Sequence, residues 1–79
     1  MNQRELTSLL IGKRKKLGLT QLDVVKKSES GITRQYYGMI ELGSRSPSVK
    51  VAKSIGEVLG VPWTIFFETK SNEKLLSVI

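Results

Sequence analysis

Between Thr33 and Gly43 the chain reads RQYYGMIEL, a stretch whose helical phase sorts its side chains into two kinds. At about 100° per residue, Tyr36, Tyr37 and Ile40 fall on one arc, and Arg34, Gln35, Gly38, Met39 and Leu42 on the other. The first arc is what a core takes. The second carries a fork-shaped cation, an amide that donates and accepts side by side, an apolar thioether, and a glycine that lets the helix approach a surface closely. Such groups suit the edges of base pairs: Arg matches guanine, Gln adenine, and Met the methyl group of thymine. Arg and Gln also populate ordinary solvated faces, so the strip alone leaves that plainer reading open. Gly38 adds some weight, because glycine inside a helix costs up to ~1 kcal/mol against alanine, although close helix crossing is a competing reason for it. The tyrosines read as core and backbone-facing rather than stacking platforms, since no groove-lining aromatics accompany them.

Other helices must hold that strip in place. Leu6, Leu9, Leu10 and Leu17, with Ile11 beside them, recur at helical spacing and predict an amphipathic first helix over residues 3–17, stopped at Gly18. Its polar side carries KRKK, residues 13–16. Thr20 with Asp23 three residues later makes a capping-box pattern, which predicts a second helix over residues 21–27 with Val24 and Val25 facing inward. SESG, residues 28–31, breaks the pattern, and Thr33 caps a third helix over residues 34–42 that Gly43 closes. Pro47 keeps that helix from resuming before a new cap at Ser48. Val49, Ala52, Ile55, Val58 and Leu59 then repeat at three and four, giving a fourth helix over residues 49–59 with Gly60 as its stop. Pro62 is expected to open a short fifth helix, PWTIFFE. The expected fold class is therefore all-α: one compact five-helix bundle over residues 1–68, followed by a short tail over residues 69–79.

Composition narrows the chemistry. Seventy-nine residues bury one modest core and leave little room for a deep pocket. There is no cysteine and no histidine, which removes thiolate zinc sites, the usual neutral-pH base and the commonest metal ligand. The seven carboxylates are scattered and no glycine-rich phosphate loop occurs, so neither an enzyme nor a cofactor or metal site is expected. Thirteen Lys and Arg against seven Asp and Glu give a net charge of +6, which favours an anionic partner, with basic solubility as the plainer alternative. The apolar run at Leu9, Leu10 and Ile11 is too short for the core of a signal peptide, and nothing approaches a membrane span. A basic helix lying on a membrane would suit KRKK, but the apolar positions of that helix are better used as core.

The order RKKLGLTQ, then ITRQYYGMIELGSRSPS, then an amphipathic helix ending LGVPW resembles the XRE-type helix-turn-helix domain of the Cro and phage-repressor family. The similarity covers residues 6–67 and rests on linked positions: Arg14, Gly18, LTQ at residues 19–21, Ile40 with Glu41, Gly43, and Pro47 with Ser48. It implies a lambda-repressor-like bundle whose third helix lies in the DNA major groove, with Arg34, Gln35, Gly38 and Met39 at the bases. Supporting roles follow on the matched positions. Thr20 and Gln21, at the start of the second helix, are expected to hold a phosphate, as are Thr33, the loop of Ser44, Arg45 and Ser46, and Lys13. Arg14 and Glu41 correspond to an internal ion pair joining the first and third helices. The family's prokaryotic or phage context implies a cytoplasmic protein associated with the nucleoid.

Three departures stand out. Val25 replaces a small residue, SESGIT makes a turn two residues longer, and Gly38 replaces a side chain that often reads bases. The longer turn is expected to be a surface insertion, the alternative being that it carries Ser28, Ser30 or Thr33 to the DNA backbone. The functional expectation is a sequence-specific transcriptional regulator, a repressor, acting as a homodimer on an inverted repeat with half-site centres ~10 bp or a multiple apart. Trp63, Phe66 and Phe67, with LLSVI at residues 75–79, offer a dimer surface, although aromatics at that spacing are better read as monomer core. The alternative function is an antitoxin or other interaction module that binds a protein partner through its tail.

Overall fold

A computed structural model describes residues 1–69. Four helices, α1 (Gln3–Lys16), α2 (Gln21–Ser28), α3 (Arg34–Leu42) and α4 (Val49–Leu59), are followed by a fifth, α5, which begins at residue 65 and continues to residue 69. Thr69 is buried in it. Of the tail expected over residues 69–79 only Thr69 is described; residues 70–79, and with them the dimerising role given to residues 75–79, lie outside the described residues.

Local chemistry sets the helix starts. The Thr20 hydroxyl accepts from the Asp23 N–H at 3.1 Å while the Asp23 carboxylate accepts from the Thr20 N–H at 2.8 Å, closing the expected capping box. Thr33 and Ser48 cap α3 and α4 through the N–H groups of Tyr36 and Val51. A second capping box, between Asn2 and Glu5 at the head of α1, was not anticipated. At the other ends, Gly43 and Gly60 close α3 and α4 with φ of 86° and 71°, which only glycine adopts freely.

The core is built from Leu6 and Leu10 of α1, Val24 of α2, Tyr37 and Ile40 of α3, Ala52, Ile55 and Leu59 of α4, and Ile65 and Phe66 of α5. Helix α2 packs on α3 and α4, and α1 on α3. Tyr37 is fully buried, with a hydroxyl that meets no partner at hydrogen-bonding geometry among the described residues. Burial, and then the neighbouring Glu41 carboxylate, push its ionisation far above the ordinary range.

Three expectations need correction. Leu17 is not core: α1 stops one residue earlier, Leu17 becomes its C-cap, and the side chain is 52% exposed. Val49, the first residue of α4, is likewise exposed, and Val51 packs inward instead. The fifth helix starts at residue 65 rather than at Pro62. Residues 62–67 first coil tightly, with the N–H groups of Ile65, Phe66 and Phe67 each bonding three residues back. The aromatics there complete the monomer, as the core reading required. Phe66 is buried, Trp63 and Phe67 meet edge to face at 6.0 Å, and Lys53 lies 5.1 Å from the centre of the Trp63 ring.

That tight coil explains a glycine which periodicity alone passes over. A Cβ on Gly56 would stand 2.8 Å from the Val61 carbonyl oxygen and 3.3 Å from the Trp63 backbone, so α4 must be bare where the chain doubles back. Gly12 of α1, by contrast, faces open space. Chemical denaturation should therefore separate two identical changes: Gly56→Ala is expected to lose about 1–3 kcal/mol through overpacking, and Gly12→Ala to gain up to ~1 kcal/mol through helix propensity.

Candidate nucleic-acid interface

The site begins at a carboxylate inside the protein. Glu41 is 2% exposed and receives a two-pronged bond from Arg14, Nε to Oε2 at 2.8 Å and Nη2 to Oε1 at 3.2 Å. Arg14 also donates through Nη1 to the Leu19 carbonyl at 3.2 Å, pinning the turn between α1 and α2. The Gln21 amide donates to Glu41 Oε1 at 3.0 Å, and its own oxygen accepts from Arg34 Nη1 at 3.3 Å. One continuous chain of polar contacts thus runs from the interior, through α2, to the first residue of α3. Burial would raise the Glu41 pKa, but the bonds from Arg14 and Gln21 outweigh it and hold the carboxyl below its ordinary value. The same bond to Glu41 raises the pKa of Arg14.

The strip on α3 has the exposure its phase requires. Arg34 and Gln35 are exposed, Met39 is 43% exposed and Leu42 66%, while Tyr37, Ile40 and Glu41 turn inward. Gly38 lies between them, and a Cβ there would meet only the Gln21 amide, at the ordinary contact distance of 3.6 Å. Helix crossing therefore does not account for this glycine. The strip forms one wall of an open groove of about 540 Å³. Its other wall is α1, through Ile11, Arg14 and Lys15.

The remaining expected contacts fall around this groove in different ways. Thr20 and Thr33 are exposed and stand at helix starts, each hydroxyl already accepting a capping bond. Gln21 is half-buried and uses one of its two N–H groups on Glu41. Ser44, Arg45 and Ser46 are exposed in the loop after α3, where the N–H groups of Ser44 and Arg45 fold back onto the Met39 carbonyl. Lys13 is half-buried on α1 and lies outside the groove, whereas Lys15 lines it. Lys15 was legible in principle, because it sits four residues after Ile11 and so shares its face. Ser28 and Ser30 bond to each other at 2.9 Å and Ser28 to the Val25 carbonyl at 2.9 Å, so the longer turn closes on itself.

A helix-turn-helix family model matches residues 12–66, from within α1 to the start of α5. The chain belongs to the XRE-type helix-turn-helix family. Among relatives of this XRE-type domain, the "Uncharacterized HTH-type transcriptional regulator YqaF" of Bacillus subtilis (strain 168) is 57% identical over 56 residues, 71% of each chain. The "Uncharacterized HTH-type transcriptional regulator YqaE" of the same organism is 40% identical over 62 residues, which is 78% of this chain and 52% of that one. The chain thus spans about half the length of the second relative. No solved structure matches. The family consists of DNA-binding transcriptional regulators and is not a class of enzymes. Among the described residues no helix is long and apolar enough to cross a membrane.

The buried pair makes acid stability predictable in sign. The folded state holds the Glu41 proton more weakly than the unfolded chain, so the pair's contribution is complete above the ordinary value of 4.5 and lost as pH falls below it. Denaturation across an acid series should show this limb, and Glu41→Gln should flatten it while costing about 3–5 kcal/mol at neutral pH by stranding Arg14.

Proposed function

We propose that this chain is a sequence-specific double-stranded DNA-binding transcriptional repressor that reads the major groove with α3. Arg34, Gln35, Gly38 and Met39 face the bases. Thr20, Gln21, Thr33, Ser44, Arg45, Ser46 and Lys13 hold phosphates on either side. The observation that carries the reading is the strip itself: an exposed cation, amide and apolar tip, with a half-buried glycine between them, on one face of a helix whose other face is core. The net charge of +6 suits the same partner. One such domain makes few base contacts, so the working unit is a homodimer on an inverted repeat, and repression follows from occupying the operator. A reader of prokaryotic or phage DNA of this kind acts in the cytoplasm, at the nucleoid.

Selection of bound sites from random duplexes tests the reading. Arg34→Ala should cost ~1–3 kcal/mol and loosen the motif at one position, whereas Arg45→Ala should weaken all duplexes alike and reduce the slope of log K against log salt by ~0.9. Equal weakening of every duplex by both changes would refute it.

Gly38→Ala supplies an independent check. The free protein should tolerate the methyl group, with unfolding free energy unchanged or higher by up to ~1 kcal/mol. Operator affinity measured on the same preparation should fall. A variant that binds as tightly as the parent would remove Gly38 from the interface.

A further inference from the structure

Leu42 is the most exposed large apolar side chain among the described residues, at 66%. Nothing in the fold asks for it: it lies on α3 but outside the core, and Gly43 beside it closes the helix without its help. It stands three residues after Met39, so the two side chains are neighbours on the helix surface. Ile11 faces them across the groove from α1, and Lys15 and Arg34 add cations to the lining. The Glu41 carboxylate beneath is already neutralised by Arg14. The groove therefore offers apolar walls within a positive frame, which suits an apolar projection carried on a polyanion. In the major groove the base edges present nitrogen, oxygen and a single apolar projection, the pyrimidine 5-methyl group.

We infer that Leu42, together with Met39, forms a seat for the 5-methyl group of a pyrimidine, so that the domain distinguishes a methylated from an unmethylated pyrimidine within its site. The inference rests on the reading of α3 proposed above and extends it to a residue at the far end of the helix from Arg34. Thymine and 5-methylcytosine share this chemistry. Contact with deoxyribose carbons would also use an apolar side chain, but it would be indifferent to the methyl group.

The test uses the 79-residue chain and a duplex taken from the selection. Each thymine is replaced singly by uracil and each cytosine singly by 5-methylcytosine, and affinities are measured for the parent and for Leu42→Ala, a change at an exposed position that leaves the core untouched. If the seat holds thymine, one uracil substitution per half-site weakens binding about fourfold, the equivalent of one buried methyl group. If it holds cytosine, methylation at one position strengthens binding by a similar factor. In either case Leu42→Ala removes most of the difference and keeps the preference that depends on Arg34. A selected site insensitive to every substitution, or a methyl effect of equal size in Leu42→Ala, overturns the seat while the proposed function stands. Failure to prefer any duplex overturns the proposed function, and the seat with it.

Discussion

The Glu41 carboxylate, bonded by Arg14 and Gln21, joins α1, α2 and α3 at a single point. Removing a carboxylate from water costs several kcal/mol, and only good geometry with every lone pair engaged offsets it. Here the guanidinium takes both oxygens and the amide adds a further bond to one of them. The backbone carbonyl of the same residue accepts from the Thr7 hydroxyl at 2.7 Å, which itself accepts from Gln3 at 3.1 Å. Sliding any of the three helices would break these bonds together and leave a charge uncompensated. The apolar core could be repacked in several ways at modest cost, but displacing this junction strands a buried charge. It therefore fixes which face of α3 is left uncovered.

That constraint explains why the longer turn between α2 and α3 leaves the motif intact. Their relation is set by Val24 against the core face of α3 and by Gln21 against Glu41, both ahead of the turn in sequence. The turn then has only to span the gap. It does so with Glu29 and Gly31 in left-handed conformation, at φ of 51° and 77°, and with the serine pair tied to the end of α2. Glu29 is the one described non-glycine residue at positive φ, a strain of roughly 1–2 kcal/mol for an L-residue. The strain sits away from the groove, where it disturbs neither the junction nor the strip.

What could be read from sequence was what is decided within a few residues. The caps at Thr20, Thr33 and Ser48, the stops at Gly43 and Gly60, and the two arcs of α3 all depend on neighbours three or four positions away. Other features depend on what arrives from elsewhere in the chain. Leu17 has the right spacing for core but lies past the last turn of α1, where no helix comes to cover it. Gly56 looks like one more weak position in a helix until residues 61–63 fold against it. The ion pair of Arg14 and Glu41 followed from family resemblance. The role of Gln21 between Glu41 and Arg34 did not, because twenty residues separate the first contact and thirteen the second.

The direction of Arg34 follows from the chemistry of that link. A carboxylate only accepts hydrogen bonds, so Glu41 must take the nitrogen end of the Gln21 amide. The oxygen end is then turned outward, where it can accept but not donate. Arg34, at the first position of α3, supplies a donor at 3.3 Å. The contact is long and exposed, so it restrains the guanidinium without burying it, and most of its donors stay free for a partner. Reversing the amide would set nitrogen against the Arg34 cation and oxygen against the Glu41 anion, which both contacts oppose. An interior charge thus reaches, through the Gln21 amide, to the surface cation at the head of α3.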